Sequence, residues 1–291
     1  DIGGEKTIVR DVHIIHVMKE LEAAKSEGPR MDYVDITDDC FLSADVEYIR
    51  EFATEYKSRI GVPFIVKGTP RYFSREKLDL LCDAGLAWIN MGLQSGSERV
   101  CRDLYKRGVN PEEFLQAARL VGEYPMAAYY DLIVDNPLET VEERLAAVEI
   151  MMQVPKPFYI LVFSLRFYRG TEIREMARTQ CPDDLHDNLT RDFRVRDAAI
   201  TSDLLELTPL VPVSVLRPFV DAAKRGQTGP FFRFLLGILV LYGRFLAAPV
   251  VYWQLTLRSQ RGNVWRALRT LPTLAAGAMV YYLNNFRWFK R

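Results

Sequence analysis

Cysteine is scarce and scattered in this chain of 291 residues. The four cysteines, Cys40, Cys82, Cys101 and Cys181, include no C-x-x-C pair. This excludes a zinc ribbon and gives no basis for a disulfide framework. Thiols without a pairing pattern are typical of a reducing compartment, so we expect a cytoplasmic protein.

Two further patterns are missing. No G-x-G-x-x-G sequence follows any strand-like run, so a dinucleotide-binding fold has no support. The first residues, DIGGEKTIVR, contain neither an initiator methionine nor a signal peptide and read like the middle of a chain. We therefore expect the sequence to begin partway into a longer polypeptide.

Acidic residues are almost absent from the C-terminal part. Residues 212–291 contain twelve Lys or Arg and one acid, Asp221, and so carry a formal charge of +11. Because the whole chain has no net charge, the preceding residues carry −11. A basic, apolar tail on an acidic body indicates an anionic partner, of which a membrane surface is one candidate. We do not expect a nucleic-acid partner.

What the sequence does contain is a regular alternation of strand-like and helix-like segments. The strand-like runs are YVDIT (33–37), VPFIVK (62–67), AWINMGL (87–93), MAAYYDLIV (126–134) and FYILVFSL (158–165). Such alternation implies parallel strands with helical crossovers, hence a doubly wound sheet or a barrel. Polar residues stand at the carboxyl ends of the runs, which is the rim where barrels place their chemistry.

These patterns predict an α/β fold: a partial (βα)6 TIM-like barrel that lacks its first strand, followed by an α-helical C-terminal region. Residues 1–181 form the predicted barrel. Residues 182–218 form a predicted helical segment followed by a linker, TPLVPVSVLRP (208–218), which contains three prolines. Residues 219–291 form a predicted basic, apolar helical tail. Helix starts are predicted at Ser43, Ser74, Asn110 and Thr140, the last with a capping box.

The tail contains two apolar stretches, residues 231–257 and 271–291. Arg233 and Arg244 interrupt the first, and the second lies in a region with only 17 consecutive uncharged residues. A helix that crosses a bilayer needs about 20 apolar residues. Helices lying in the membrane interface therefore fit better than spanning helices. A helical subdomain packed on the barrel is the alternative.

Four segments occur in order at the spacing of barrel strands: TDDCF (37–41), MGLQSGSERVCRDLYKRG (91–108), YYDLIVDNPLET (129–140) and SLRFYRGTEI (164–173). Together they resemble the radical S-adenosylmethionine (SAM) enzymes, especially the Fe-S oxidoreductase-like subgroup with an upstream cobalamin-binding domain. The resemblance covers residues 5–180. It implies that SAM lies across the carboxyl ends of the barrel strands.

The resemblance implies a role for three residues in holding SAM. Gln94 would hydrogen-bond the methionine portion, and Asp131 would accept hydrogen bonds from the ribose hydroxyls. Arg107 would pair with the carboxylate, because a guanidinium can grip both of its oxygens. Each of these side chains also has an ordinary structural alternative, as a helix cap or a surface ion-pair partner.

Three more residues complete the predicted set. Asp38 and Asp39 occupy the place where the family contacts the ammonium group of SAM, and Ser95 is a further candidate for the same pocket. No catalytic residue is predicted.

The resemblance also implies cofactors and partners. A 4Fe-4S cluster would need three cysteines in a C-x-x-x-C-x-x-C loop, which this sequence lacks, so no metal ligand is predicted in this chain. Cobalamin would occupy an upstream domain. An electron donor such as flavodoxin or ferredoxin would be a partner.

The implied activity is reductive cleavage of SAM to modify an unactivated carbon, as an oxidoreductase or, with cobalamin, as a methyltransferase. The apolar tail suggests a lipid-like or otherwise hydrophobic substrate and peripheral contact with a membrane. Two alternatives remain: a catalytically inactive, barrel-derived binding or scaffold protein at a membrane surface, and an aldolase-like barrel that uses Lys67 as a Schiff-base amine.

Overall fold

The computed structural model describes residues 13–27, 31–38, 40–108, 110–181 and 198–269. Asp39, residues 182–197 and the second apolar stretch of the tail lie outside the described residues.

Five parallel strands form one sheet in the order β1-β2-β3-β4-β5. They are β1 (Val34–Ile36), β2 (Phe64–Gly68), β3 (Leu86–Gln94), β4 (Ala127–Val134) and β5 (Tyr159–Ser164). All five runs predicted from the sequence are confirmed as strands.

The helices around the sheet are α1 (Ile14–Glu27), α2 (Val46–Arg59), α3 (Arg75–Ala84), α4 (Pro111–Gly122), α5 (Val141–Met151) and α6 (Glu172–Gln180). Those of the C-terminal region are α7 (Ala198–Leu207), α8 (Val213–Lys224), α9 (Pro230–Tyr242) and α10 (Ala248–Ser259).

The winding of the chain identifies the sheet as part of a barrel. Consecutive strands are neighbours throughout, and α2, α3, α4 and α5 connect each strand to the next. Because nearly all such crossovers are right-handed, a strand order that never reverses keeps every connecting helix on the same face. A doubly wound sheet would need a reversal of the order. The predicted fold class, a partial α/β barrel followed by a helical region, is confirmed.

The two faces of the sheet have different neighbours, as β3 shows. Ile89, Met91 and Leu93 are fully buried in the core formed with the connecting helices. Because side chains alternate along a strand, Asn90 and Gln94 lie on the opposite face, the inner face of the partial barrel. The inner face therefore holds the polar residues of this strand.

Three predicted helix starts are confirmed: Ser74 accepts a hydrogen bond from Lys77 N, Asn110 from Glu112 N, and Thr140 forms a capping box with Glu143. The start predicted at Ser43 is wrong. Asp45 caps α2, with its Oδ1 2.8 Å from Tyr48 N, and Ser43 ends a short 3-10 helix. That turn forms because it buries Phe41 and Leu42 before α2 begins.

The linker interpretation of residues 208–218 is corrected by the structure for its second half. Pro212 is the N-cap of α8, which begins at Val213 and contains Pro218. Val211 and Leu216 are buried in the main core. A proline at the start of a helix does not interrupt it, so Pro212 does not prevent α8, and Pro218 is accommodated inside the helix.

The first apolar stretch of the tail forms one long helix. α9, a π-helical segment (Gly243–Ala247) and α10 run continuously over 30 residues, Pro230–Ser259. Leu255 of α10 is fully buried with Trp88 and Ala127, which lie near the amino-terminal ends of β3 and β4. α10 thus covers the amino-terminal part of the inner face and leaves the carboxyl-terminal part to the site.

Hydrogen bonds fix α10 in this position. Arg258 Nη2 donates to the carbonyl oxygens of Tyr124 (2.7 Å) and Gly122 (3.2 Å) at the C-terminal end of α4. The Ser259 hydroxyl lies 3.1 Å from the hydroxyl of Tyr33, just before β1. The tail helix is therefore part of the packed body of the protein.

Candidate functional site

A cavity of about 360 Å³ opens at the carboxyl ends of β2, β3 and β4. Its volume falls within the range of about 300–1,000 Å³ that is typical of small-molecule sites. The lining residues are Lys67, Gly68, Thr69, Pro70, Asn90, Gly92, Gln94, Arg107, Asp131, Ile133 and Phe163.

Three of the predicted SAM-binding residues, each from a different part of the fold, line this cavity. Gln94 ends β3, Arg107 follows the helical segment after β3, and Asp131 lies on β4. Because parallel strands place their carboxyl ends at one edge, chain segments far apart in sequence converge there. The structure therefore brings Gln94, Arg107 and Asp131 together.

The backbone at Gln94 bends sharply. Gln94 has a φ of 68°, and Ser95 N donates to Leu93 O across it at 2.9 Å. An i to i+2 hydrogen bond around a residue with positive φ is a γ-turn of the rare, strained kind. The pairing of β3 with β4 also shifts register between Gly92 and Gln94. Irregularities of this type commonly re-aim a side chain next to a functional site.

Gly92 makes room for the Gln94 side chain. A Cβ atom placed on Gly92 would lie 2.1 Å from Gln94 Nε2. The amide of Gln94 therefore folds back over the glycine, along the cavity wall. Only a residue without a side chain permits this arrangement.

A π-helical segment, Val100–Leu104, precedes Arg107. The chain leaves it through a wide turn in which Arg107 N donates to Cys101 O at 2.9 Å and Lys106 has a φ of 51°. This turn separates the two cations. Lys106 Nζ pairs with Glu172 of α6 at 3.3 Å, whereas Arg107 lines the cavity. Within the described part of the chain, the Arg107 guanidinium has no ion-pair partner.

Asp131 is a mostly buried carboxylate in the cavity wall. Its Oδ1 is shielded from solvent and has no hydrogen-bond partner among the described residues. Burial raises the pKa of Asp131 to about 6. The nearby Asn90 amide and then the charges of Lys67 and Arg107 act to lower this pKa, although Asn90 Nδ2 does not reach hydrogen-bond geometry with Asp131. A ligand hydroxyl would supply the missing donor.

The sequence analysis missed Asn90 as a site residue. Asn90 is only 6% exposed, and its Nδ2 donor has no hydrogen-bond acceptor among the described residues. Its position could have indicated a site residue. Asn90 lies two residues before Gly92 and four before Gln94, and so on the same face of an otherwise apolar strand. Lys67, its partner in register on β2, lines the cavity beside it.

Two other predicted residues do not line the cavity. Ser95 is 1% exposed, and its hydroxyl donates to Glu139 Oε1 at 2.5 Å, behind the turn at Gln94. Asp38 is exposed after β1, where its Oδ1 accepts a hydrogen bond from Cys40 N at 2.8 Å. The Cys40 thiol contacts Thr69 of the cavity wall at 3.4 Å, so this turn borders the site without entering it.

The cysteines do not form a site for an iron-sulfur cluster. Within the described residues, no group of three or more His, Cys, Asp or Glu is arranged to hold a metal ion. Cys101 donates to the carbonyl oxygen of Ser95 at 3.5 Å, and burial raises its pKa. Burial also raises the pKa of Cys82 to about 11. Raised pKa values disfavour the thiolate that iron ligation requires.

Comparison with known proteins gives a family match for about half of the chain. Residues 7–151 match the family model of the Radical SAM superfamily. No curated protein sequence matches the chain.

Among solved structures, the chain is similar to TsrM from Kitasatospora setae, a radical S-adenosylmethionine methyltransferase with cobalamin and a 4Fe-4S cluster bound (21% identity, 58% of this chain, 32% of that chain, TM-score 0.47). It is also similar to Elp3 from Methanocaldococcus infernus (16% identity, 66% and 49% covered, TM-score 0.45). A third is coproporphyrinogen III oxidase, HemN, from Escherichia coli (14% identity, 72% and 45% covered, TM-score 0.45). The chain spans about a third to a half of the length of these proteins.

Proposed function

We propose that the cavity at the carboxyl ends of β2, β3 and β4 binds SAM, on the premise that residues 7–151 match the family model of the Radical SAM superfamily. The observation that carries the proposal is the convergence of Gln94, Arg107 and Asp131 on one cavity. To it Arg107 brings a guanidinium with no ion-pair partner, and Asp131 a carboxylate oxygen with no hydrogen-bond partner, among the residues that the structure describes.

The chemistry of these side chains complements that of SAM. The Arg107 guanidinium would grip the carboxylate of the methionine portion. The ionised Asp131 carboxylate would accept hydrogen bonds from the two ribose hydroxyls. Gln94, whose amide both donates and accepts, would bridge polar groups of the methionine portion. Ile133 and Phe163 give the cavity an apolar side against which the base or a hydrophobic substrate would pack.

The proposed activity of the whole protein is modification of an unactivated carbon of a hydrophobic substrate. When bound, SAM supplies a sulfonium whose carbon-sulfur bond is broken reductively in the superfamily. The described cysteines do not fit a cluster, so this chain's own residues support binding and orientation of SAM, with no electron-transfer step assigned to them. More specifically, we propose that the protein transfers a methyl group with cobalamin. The support for this is the resemblance of its sequence motifs to those of the cobalamin-associated subgroup.

Binding of SAM to purified protein tests the pocket. We expect Arg107→Ala and Asp131→Asn each to weaken binding about 10- to 100-fold, the range for loss of a hydrogen bond to a charged group. Arg102→Ala is the matched control, because Arg102 pairs with Asp103 at 2.7 Å and does not line the cavity. Equilibrium dialysis with labelled SAM measures the affinities, and circular dichroism checks that each variant is folded.

Two outcomes would contradict the pocket assignment. One is that the parent protein does not bind SAM. The other is that both cavity variants bind as tightly as the Arg102→Ala control.

The alternative function, a binding or scaffold protein without catalysis, is favoured by the absence of a C-x-x-x-C-x-x-C loop from this sequence. The two functions differ in a direct assay on the full-length gene product. The product is reconstituted anaerobically with iron and sulfide, reduced, and assayed for release of 5′-deoxyadenosine from SAM. Cleavage supports the enzyme, whereas SAM binding with neither cluster uptake nor cleavage supports the scaffold.

A further inference from the structure

The long helix Pro230–Ser259 presents a row of large apolar side chains to solvent. Each member of this row is more than half exposed. We call it the apolar stripe, and it consists of Phe231, Phe234, Ile238, Leu241, Phe245 and Val250.

The stripe is continuous and lies on one face of the helix. Its members follow one another at intervals of three or four residues, the spacing that keeps side chains on a single helical face. The one interval of five, from Phe245 to Val250, crosses the π-helical segment, whose wider turn takes up the extra residue. At 1.5 Å per residue it is about 28 Å long. Single exposed apolar residues are normal on a protein surface, but a contiguous apolar patch of this size marks an interaction site.

The arginines that interrupt the apolar sequence are engaged elsewhere. Arg233 Nε donates to Thr228 O at 3.1 Å. Arg244 Nη2 pairs with Glu206 of α7 at 2.8 Å, and Arg258 donates to the end of α4. The charges therefore do not divide the stripe, although in the sequence they interrupt it.

The surroundings of the stripe are basic. Residues 222–269 contain no Asp or Glu. Arg225 is exposed before the helix and Arg269 after it. Lys224 and Arg261 are exposed too, but Lys224 pairs with Glu149 and Arg261 donates to the carbonyl oxygen of Cys82. Trp265, which is 82% exposed, lies among the last of these cations. An apolar face flanked by cations and a tryptophan complements an anionic lipid surface.

The opposite face of the helix is fixed to the protein. Leu236, Ala247 and Leu255 are buried, and an added Cβ on Gly243 would lie 2.7 Å from Leu207 of α7. By length and mean hydropathy this helix could cross a membrane. A crossing helix, however, needs lipid or other membrane helices around it, and here α7 and the sheet occupy one side.

We propose that the apolar stripe docks this protein on an anionic lipid bilayer, with the long helix lying in the plane of the interface. The stripe enters the boundary between headgroups and acyl chains. The cations at both ends bind the anionic headgroups, and the barrel remains on the aqueous side of the surface.

Vesicle flotation tests the proposal. We expect the intact protein to float with vesicles of phosphatidylcholine mixed with phosphatidylglycerol, and to float much less with phosphatidylcholine alone or at high salt. The double variant Phe234→Glu/Phe245→Glu should remain in the dense fraction. Both side chains are about two-thirds exposed, so their replacement removes little internal packing.

Ile15→Glu is the matched control, because Ile15 is 55% exposed on α1, outside the stripe. It should float like the parent protein. Thermal unfolding of all variants checks that they are folded.

Several results would overturn the proposal. The parent protein could stay in the dense fraction, or the double variant could float as well as the control. If the parent protein forms dimers that the double variant does not form, and the parent does not float, the stripe binds a second copy of the chain instead. Resistance of the membrane-bound protein to alkaline extraction would indicate a spanning helix instead of an interfacial one.

Discussion

Gln94 occupies a backbone conformation that residues with side chains usually avoid. Such conformations cost about 1–3 kcal/mol and persist where the surrounding structure imposes them, often at functional sites. Here the γ-turn directs the amide over Gly92 into the cavity wall. The strain at Gln94 is therefore consistent with a position selected for ligand contact.

Gly92→Ala tests the positioning of Gln94. The new methyl group would displace the end of the flexible Gln94 side chain without meeting backbone atoms. We expect about a 10-fold loss of SAM affinity, with little change in the thermal unfolding midpoint. If affinity is unchanged, the amide of Gln94 does not contact the ligand.

A second residue of interest, Glu139, lies behind the site. It is 6% exposed, accepts the hydrogen bond from Ser95, and lines a small pocket with Arg144 and Ser202. Arg144 Nε and Ser202 Oγ are buried there without a hydrogen-bond partner among the described residues. Burial raises the pKa of Glu139 to about 7.

This shift predicts a pH dependence of stability. The pKa of Glu139 is higher in the folded protein than in the unfolded chain. Its contribution to the free energy of unfolding is therefore fully present below about pH 4.5 and is lost as pH rises through about 7. Glu139→Gln keeps the acceptor for Ser95 and removes the charge. We expect the variant to gain up to about 3 kcal/mol over the parent above pH 7, and little at pH 4.5. Urea unfolding across this pH range measures the difference, and a difference that does not vary with pH would contradict the assignment.

At the scale of single residues, the sequence predicted those site residues whose motifs are distinctive. Gln94, Arg107 and Asp131 were identified, and they share a cavity. The direction of the Ser95 side chain could not be predicted, because it depends on the γ-turn at Gln94 and on Glu139, 44 residues later. Contacts that join distant segments leave no local pattern in a sequence.

At the scale of elements, helix ends and their contacts carry most of the stability arguments. α4 ends without a glycine in the left-handed conformation that commonly terminates helices. Arg258 from α10 supplies the missing donors to its last carbonyl groups, and its positive charge suits the negative end of the helix dipole.

Arg258→Ala should therefore destabilise the protein. We expect a loss of about 1–3 kcal/mol, because both acceptors are partly buried and would be left without their charged donor. Arg269→Ala is the control, since Arg269 is exposed. Thermal unfolding measures both variants, and equal midpoints for the two would show that the contact is not stabilising.

The elements themselves were largely predictable. Strands were identified from apolar runs and three helix starts from capping residues, because both signals are local. The linker interpretation of residues 208–218 is wrong for residues 213–218, because Pro212 caps α8 and the helix contains Pro218. Burial of Leu216 against other helices, which decided the outcome, is not visible in the local sequence.

At the scale of the whole molecule, the basic tail and the acidic body are joined by specific pairs. Lys224 and Arg217 both approach Glu149 of α5, at 2.6 and 3.5 Å. The sequence left open whether the tail packs on the barrel or lies on a membrane. The long helix has a face suited to each, because its inner face is buried and its outer face is the apolar stripe.

The packing of α10 against the sheet has a practical consequence for anyone producing this protein. Apolar C-terminal helices are commonly deleted to obtain protein that does not aggregate in solution. Ending the chain before Pro230 would here remove Leu255 from the inner face of the sheet and expose Trp88 and Ala127 to solvent. The shortened protein would aggregate more readily than its parent. Purifying the intact chain in mild detergent is therefore the better choice.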